Sequence, residues 1–215
     1  MTRRSWQAGR PYVLAVLLVG AALVPRRRRA GWFVVGLSGA VAAFFRDPDR
    51  PLPTDPGVVY AAADGVVTGV DARVPEPWLP GGEGTRVRTF LSLHNVHVNR
   101  SPVRGRVARV ESREGGFAPA LFARAEENRR RRLALDGPAG PLVVVQVAGL
   151  LARRISGWVG EGDRVAAGER IGMIHFGSRT DVLLPPGRAD ILVRAGDRVR
   201  AGVTPLARYS SQTGA

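Results

Sequence analysis

The chain has 215 residues, 45% of them apolar, and a formal net charge of +14 whose positive side chains are all arginine, because no lysine occurs. The length suits one compact domain with a sizeable core plus an appendage. Without lysine there is no Schiff-base attachment for pyridoxal, no lipoyl or biotinyl attachment and no phosphate loop ending in Gly-Lys-Ser/Thr; without cysteine there is no disulfide, thiolate nucleophile or thiolate-bound zinc. Covalent chemistry therefore falls to serine, threonine, histidine, a carboxylate, or a group made from one of them. The basic charge favours an anionic partner, either nucleic acid or a membrane surface. Arginine bias of a GC-rich genome produces the same composition.

Two apolar runs, Pro11 to Val24 and Ala30 to Phe45, are separated by Pro25 and Arg26 to Arg29. Each is shorter than the ~20 residues of a full helical span. A cleaved signal peptide needs only the first run, so the second argues against one. Trp6, Tyr12 and Trp32 stand near the run ends, where interfacial aromatics belong. Arg3, Arg4, Arg10, Arg46 and Arg50 nearly balance Arg26 to Arg29 across the runs, which predicts a short helical membrane-anchoring hairpin over residues 1–45, its arginines snorkelling to anionic headgroups. Residues 46–57 are proline-rich and charged and read as a linker. A globular domain is expected over 58–215.

In that domain Val58 to Tyr60, Ala63 to Val70, Val87 to Leu93 and Val103 to Val110 read as strands, the last two by clear alternation of apolar and polar residues. The loop from Pro75 to Gly84 carries Trp78, which either touches lipid or covers the core. Pro119 to Arg132 predicts a helical patch, with Glu126 and Glu127 three to four residues ahead of arginines, the spacing of a solvated ion-paired face. Leu142 to Leu151 is continuously apolar and predicts a buried strand. Gly172 to Pro185 predicts strand, tight turn, strand, with Gly177-Ser178 at the turn. The heptapeptide Gly-Asp-Arg-Val-Ala-Ala-Gly at 162–168 returns as Gly-Asp-Arg-Val-Arg-Ala-Gly at 196–202, on either side of Gly177-Ser178. The expected fold class is mainly β (α+β); the repeat is similar to the pseudo-symmetric strands of lipoyl-like or double β-sandwiches.

Three residue types carry chemistry. Glycine at 177 lets another group approach its carbonyl closely, and Ser178 stands directly after that carbonyl and can attack it. The only three histidines, His94, His97 and His175, fall beside this turn or in Leu-His-Asn-Val-His-Val-Asn-Arg-Ser-Pro at 93–102. Asp64, in Ala-Asp-Gly, makes either an Asx-turn or the acid that orients an imidazole, and spacing leaves both open.

Together, Phe-Gly-Ser-Arg-Thr-Asp-Val-Leu-Leu-Pro at 176–185, His-Asn-Val-His-Val-Asn-Arg-Ser-Pro at 94–102, Ala-Asp-Gly at 63–65 and Val-Gln-Val-Ala-Gly-Leu-Leu-Ala-Arg-Arg-Ile at 145–155 resemble the phosphatidylserine decarboxylase proenzymes. The short form, with an abbreviated anchor, fits best, from Phe44 to Leu206. His175 departs from the family, which implies a basic residue there, usually arginine. The resemblance implies that Ser178 is the self-cleaving serine, His97 its general base, Asp64 the partner of His97, and His94 the residue serving decarboxylation. Cleavage between Gly177 and Ser178 would leave a large chain, 1–177, and a small chain, 178–215, as a heterodimer whose catalytic group is a pyruvoyl made from Ser178. Arg179, Arg100 and His175 are candidates for binding the substrate. The resemblance further implies a membrane phospholipid substrate, phosphatidylethanolamine as product, no metal, no nucleic acid, and a place at the cell membrane with the cytoplasmic face favoured; a higher oligomer stays open.

Two other readings compete. In a membrane-anchored zinc peptidase with lipoyl-like strands, His94, His97 and Asp64 would be ligands, although histidines three apart on a strand face opposite sides. A non-enzymatic basic adaptor would bind lipid or nucleic acid through its arginines, and for it changing Ser178 would cost nothing but local structure.

Overall fold

The computed structural model describes residues 2–116, 118, 126–149, 154–176 and 178–210. The chain divides into two units, Met1–Asp49 and Arg50–Ala215.

The first unit is a pair of helices, α1 (Arg3–Leu23) and α2 (Arg28–Phe44). Helix α1 begins well before the apolar run that signals it, because Thr2 caps it: its side chain accepts a hydrogen bond from Ser5 N–H at 3.3 Å. With 21 residues it is long and apolar enough to cross a membrane, whereas α2 has 17. Glycines let the helices approach closely. A Cβ on Gly20 would lie 2.7 Å from Val35 N, and one on Gly31 2.5 Å from Val24 N. Leu18, Val19, Trp32 and Phe33 are exposed.

The second unit is built from strands β1 (Val58–Tyr60), β2 (Gly65–Pro75), β3 (Glu83–Leu91), β4 (Val98–Arg100), β5 (Gly105–Arg113), β6 (Arg130–Gly137), β7 (Gly140–Ala148), β8 (Ile155–Gly157), β9 (Arg164–Val165), β10 (Arg170–Ile174), β11 (Ser178–Leu184), β12 (Ala189–Ile191), β13 (Arg198–Val199) and β14 (Pro205–Tyr209). An eight-stranded sheet has the order β13-β2-β3-β11-β7-β6-β5-β9, and two three-stranded sheets have the orders β1-β14-β12 and β4-β10-β8. Every pairing within them is antiparallel. One face of the large sheet contributes Val67, Val87, Val107, Leu135, Leu142, Val144, Val182 and Leu184 to the main core, which also takes Val59, Leu206 and Ala207 from one small sheet and Ile171 from the other. The opposite face carries Val143, Val145, Val147 and Leu183 under Leu79 and Trp78. Trp78 thus covers core, with the Arg109 and Arg132 guanidiniums 4.5 and 3.9 Å from its ring centroid.

The repeated heptapeptide is the visible part of a wider duplication. Asp197 O accepts from Val67 N–H at 2.9 Å as Asp163 O does from Val107 N–H at 2.8 Å, and Gly202 N–H donates to Ala61 O as Gly168 N–H does to Ser101 O, both at 2.8 Å. Asp197 and Asp163 side chains close the same turn onto Arg194 N–H and Gly160 N–H. Tyr209 N–H donates to Gly57 O as Ile174 N–H does to His97 O, and Ser210 N–H to Arg188 O as His175 N–H does to Arg154 O. The pseudo-twofold relation runs between β11 and β7, exchanging β2 with β5, β3 with β6 and β1-β14-β12 with β4-β10-β8.

Of the helical patch expected over 119–132, residues 119–125 lie outside the described residues; Glu126 and Glu127 form a 3-10 turn, and the C-terminal part changes to strand, β6 starting at Arg130. Glu126 pairs with Arg86 of β3 and Arg179 of β11. Strands flank residue 177 as the sequence predicts, but they are not the two arms of a hairpin. β10 pairs with β4 and β8, while β11 pairs with β3 and β7, so residues 175–177 connect two sheets.

Candidate active site

Ser178 opens β11, the strand next to the pseudo-axis, and faces Leu91 of β3 and Ala148 of β7. Both flanking strands clamp it, and its side chain is fully buried. Its Oγ has no hydrogen-bond partner among the described residues. A buried hydroxyl left unsatisfied costs roughly 1–3 kcal/mol. Phe176, two residues earlier, has a φ of 54°, a strained value for a bulky residue. Gly177 lies outside the described residues.

The chain leaves β3 at Leu91, beside Ser178, and passes through residues 92–97 before entering β4. Both histidines of the 93–102 motif therefore lie on the segment that departs from the serine. His94 is exposed, its ring within 3.3 Å of Ser92 Oγ. Ser92 Oγ also donates to Asn95 Oδ1 at 2.6 Å, which pins this turn. His97 is fully buried, with Nδ1 3.0 Å from Asn95 O. A carbonyl can only accept, so Nδ1 carries a proton and donates this hydrogen bond.

His175 follows β10, and its Nε2 lies 3.0 Å from Ser156 Oγ. Its pKa is lowered to about 4, chiefly by burial and then by the charges of Arg154 and His97. At neutral pH it is an uncharged imidazole and does not reproduce the charge of an arginine.

Asp64 ends up at the same end of the sheet as Ser178, since Val66 and Arg179 both face Phe90. Its carboxylate takes a two-pronged ion pair from Arg50, at 2.6 and 2.8 Å, and a hydrogen bond from Ala201 N–H at 2.8 Å. These are its partners among the described residues, and His97 is not one of them. Arg50, which the sequence places among the charges flanking the apolar runs, thus belongs to the site through Asp64. Side-chain alternation along β11 turns Arg179 to the face opposite Ser178. There it is buried, 2.9 Å from Asp181 Oδ1 and 3.0 Å from Glu126 Oε1. Arg100 is buried too, donating to Gly168 O at 2.8 Å. No group of three or more His, Asp or Glu side chains among the described residues is arranged to hold a metal ion.

Sequence reading missed a layer beneath the serine. Asn99, Thr180, Gln146 and Arg131 are buried polar residues joined by hydrogen bonds. Only the Asn-Arg-Ser-Pro run and the lone glutamine in an apolar strand hint at it.

At the start of β11, then, stands a buried serine hydroxyl without a hydrogen-bond partner among the described residues, with imidazoles on the two chain segments adjoining it. Over residues 37–207 the chain matches the phosphatidylserine decarboxylase family. It is 41% identical over 206 residues to a phosphatidylserine decarboxylase proenzyme of Azorhizobium caulinodans, covering 94% of this chain and 88% of that one. A proenzyme of the same name from Gluconobacter oxydans is 45% identical over 210 residues, covering 94% and 93%, and one from Thermobifida fusca is 47% identical over 175 residues, covering 81% and 76%. The chain belongs to the phosphatidylserine decarboxylase family.

Proposed function

We propose that this protein cleaves itself between Gly177 and Ser178 and then decarboxylates phosphatidylserine to phosphatidylethanolamine with a pyruvoyl group made from Ser178. The observation that carries the reading is the Ser178 Oγ, buried at the start of β11 and without a hydrogen-bond partner among the described residues. A solvated turn serine has no reason to be kept that way.

His97 Nε2 takes the hydroxyl proton, and Oγ attacks the Gly177 carbonyl carbon. The Gly177–Ser178 amide bond breaks as the nitrogen accepts a proton, leaving an ester. Loss of the residue-178 α-proton expels the Gly177 carboxylate, and water converts the resulting dehydroalanine to a pyruvoyl with release of ammonia. In this reading Asp64 is the acid partner of His97, and Arg50 and Ala201 N–H, its partners in the structure, hold that carboxylate in place. The pyruvoyl residue fits here because β3 and β7 hold position 178 independently of the bond to 177. When formed, that group supplies an electron sink for the pair released as carbon dioxide departs. His94, exposed at the mouth of the same segment, delivers the proton that replaces the lost carboxylate.

The remaining assignments follow from this. The fold is lipoyl-like, with the duplication as support. The helical pair anchors the enzyme at the membrane, where its substrate resides, and the arginine-rich surface favours an anionic leaflet. Arg100 and Arg179 are buried in the structure and contribute to the substrate only through the groups they hold.

Intact mass of the purified wild-type protein tests the reading. The expected result is two chains, 1–177 and 178–215, the smaller without a free amino terminus, and a single intact chain for Ser178→Ala. A wild-type chain that stays whole in the presence of membrane lipid overturns it.

A further inference from the structure

We infer that Asn99, Thr180, Gln146 and Arg131 form a positioning clamp that fixes β4, the strand that directly follows His97, against β11, the strand that Ser178 opens, an inference that rests on Ser178 being the processed residue. Asn99 Nδ2 donates to Thr180 Oγ1 at 3.2 Å, Gln146 Nε2 donates to Asn99 Oδ1 at 2.6 Å, and Arg131 Nη1 donates to Gln146 Oε1 at 3.1 Å. Arg131 Nη2 closes the chain on Val159 O. All four residues are buried, Arg131 the least at 6% exposed, and burial lowers its pKa. Asn99 and Thr180 each stand two residues beyond His97 and Ser178. On a strand that is the next position on the same face, about 7 Å away.

The duplication supplies an internal control. Under the pseudo-twofold, Asn99 corresponds to Val59, Thr180 to Leu142 and Gln146 to Leu184, and these three belong to the main apolar core. Arg131 corresponds to Thr85. The other half therefore packs the same layer junction with no polar side chain at the first three places. Glycines mark the exchange as well. A Cβ on Gly157 would lie 2.5 Å from Arg131 Nε, and one on Gly172 would lie 3.0 Å from Gln146 Nε2. Gly157 faces Gly172 across β8 and β10, as Ile191 faces Ala207 across β12 and β14. In the half with the serine, side chains have been removed from the small sheet to admit a guanidinium and an amide.

An apolar junction stabilises a layer at least as well as a buried polar one. What hydrogen bonds add is direction: a short amide–hydroxyl contact sets strand offset where methyl groups would allow sliding. Ser178 opens β11 of the large sheet and His97 precedes β4 of a small one, and cleavage between 177 and 178 would cut the chain that joins β10 of that small sheet to β11. Afterwards Asn99 and Thr180 would belong to different chains, and their bond would hold the offset between them.

The test compares Thr180→Val, which keeps the shape and removes the acceptor, with Thr180→Ser, which keeps the acceptor. Cleavage half-time is followed by intact mass, with the melting temperature alongside and kcat and KM measured on the processed fraction. The expected result is cleavage slowed about 10- to 100-fold in Thr180→Val, within about threefold of wild type in Thr180→Ser, and kcat affected more than KM. Melting temperatures should stay close to wild type in both. Wild-type cleavage by Thr180→Val overturns the clamp, and so does equal slowing in both variants. Loss of the fold in Thr180→Val also overturns it, since the residue would then be needed for stability. A wild-type chain that never cleaves instead sinks the reading of Ser178, so the two failures are distinguishable.

Discussion

The start of β11 and the start of β7 are equivalent places in the duplicated framework, and they differ in almost every side chain. At the first stand Ser178, with His97 and His175 on the neighbouring segments. At the second stand Gly140, Gly57 and Ser210, held by the same backbone hydrogen bonds. The framework is thus indifferent to what occupies these ends, and Ser178, His97 and His175 are additions to a fold that closes without them. Stability and chemistry should separate on mutation.

The sharpest break of the comparison is His97→Ala against Gly57→Ala. Loss of a general base should slow cleavage at least about 100-fold in the first. In the second it should be unchanged, because a Cβ at Gly57 meets only Asp55 Oδ1, at 3.5 Å. Intact mass over time checks both. His94→Ala should fall between them in scope: the chain still splits, and carbon dioxide release from phosphatidylserine drops by about 100-fold. Full turnover in that variant would remove His94 from the mechanism.

A smaller effect lies in the pH dependence of stability. His175 is lowered from 6.5 to about 4, so its contribution is complete above pH 6.5 and is lost as pH falls toward 4, a swing of about 3 kcal/mol. Asp181 acts in the opposite sense. Burial raises it from 3.8 to about 6 against the opposing pull of Arg179, so its contribution is present at low pH and is lost as pH rises from 3.8 to 6. Denaturant midpoints between pH 4 and 7 should therefore slope upward with pH in Asp181→Asn relative to wild type, and downward in His175→Gln. Identical slopes in all three proteins would refute the assignment. The smallest effect sharpens the symmetry itself: Asp163→Ala and Asp197→Ala each remove one turn-closing hydrogen bond and should cost the same, about 1 kcal/mol.

Much of this molecule could be read before its structure. Alternation at 87–93 and 103–110 marks β3 and β5, a continuous apolar run marks β7, and the heptapeptide pair announces the duplication. The Gly-Ser pair at 177–178 and the histidine motif were likewise visible as patterns of residue type. What stayed hidden depends on partners distant in the chain. Glu126 reads as a helix-face residue because its arginines on β3 and β11 are invisible to local spacing. Asp64 carries no mark that Arg50 will bind it. Gln146 looks like an interruption of an apolar strand until Asn99 arrives from another sheet, and only the structure shows Gly157 and Gly172 making room beneath.

The register of β11 has one more consequence. A chain beginning at residue 178 would carry β11, β12, β13 and β14, and so own a strand in the middle of the large sheet, another at its edge, and two of the three strands in a small sheet. Such a fragment cannot leave as a subunit leaves a partner, because its departure would open four ladders together, those of β11 with β3 and β7, of β13 with β2 and of β14 with β1. Dilution should therefore not separate the pieces, and only denaturation should. The cut would be thermodynamically silent in assembly, turning one chain into two with no affinity constant to lose.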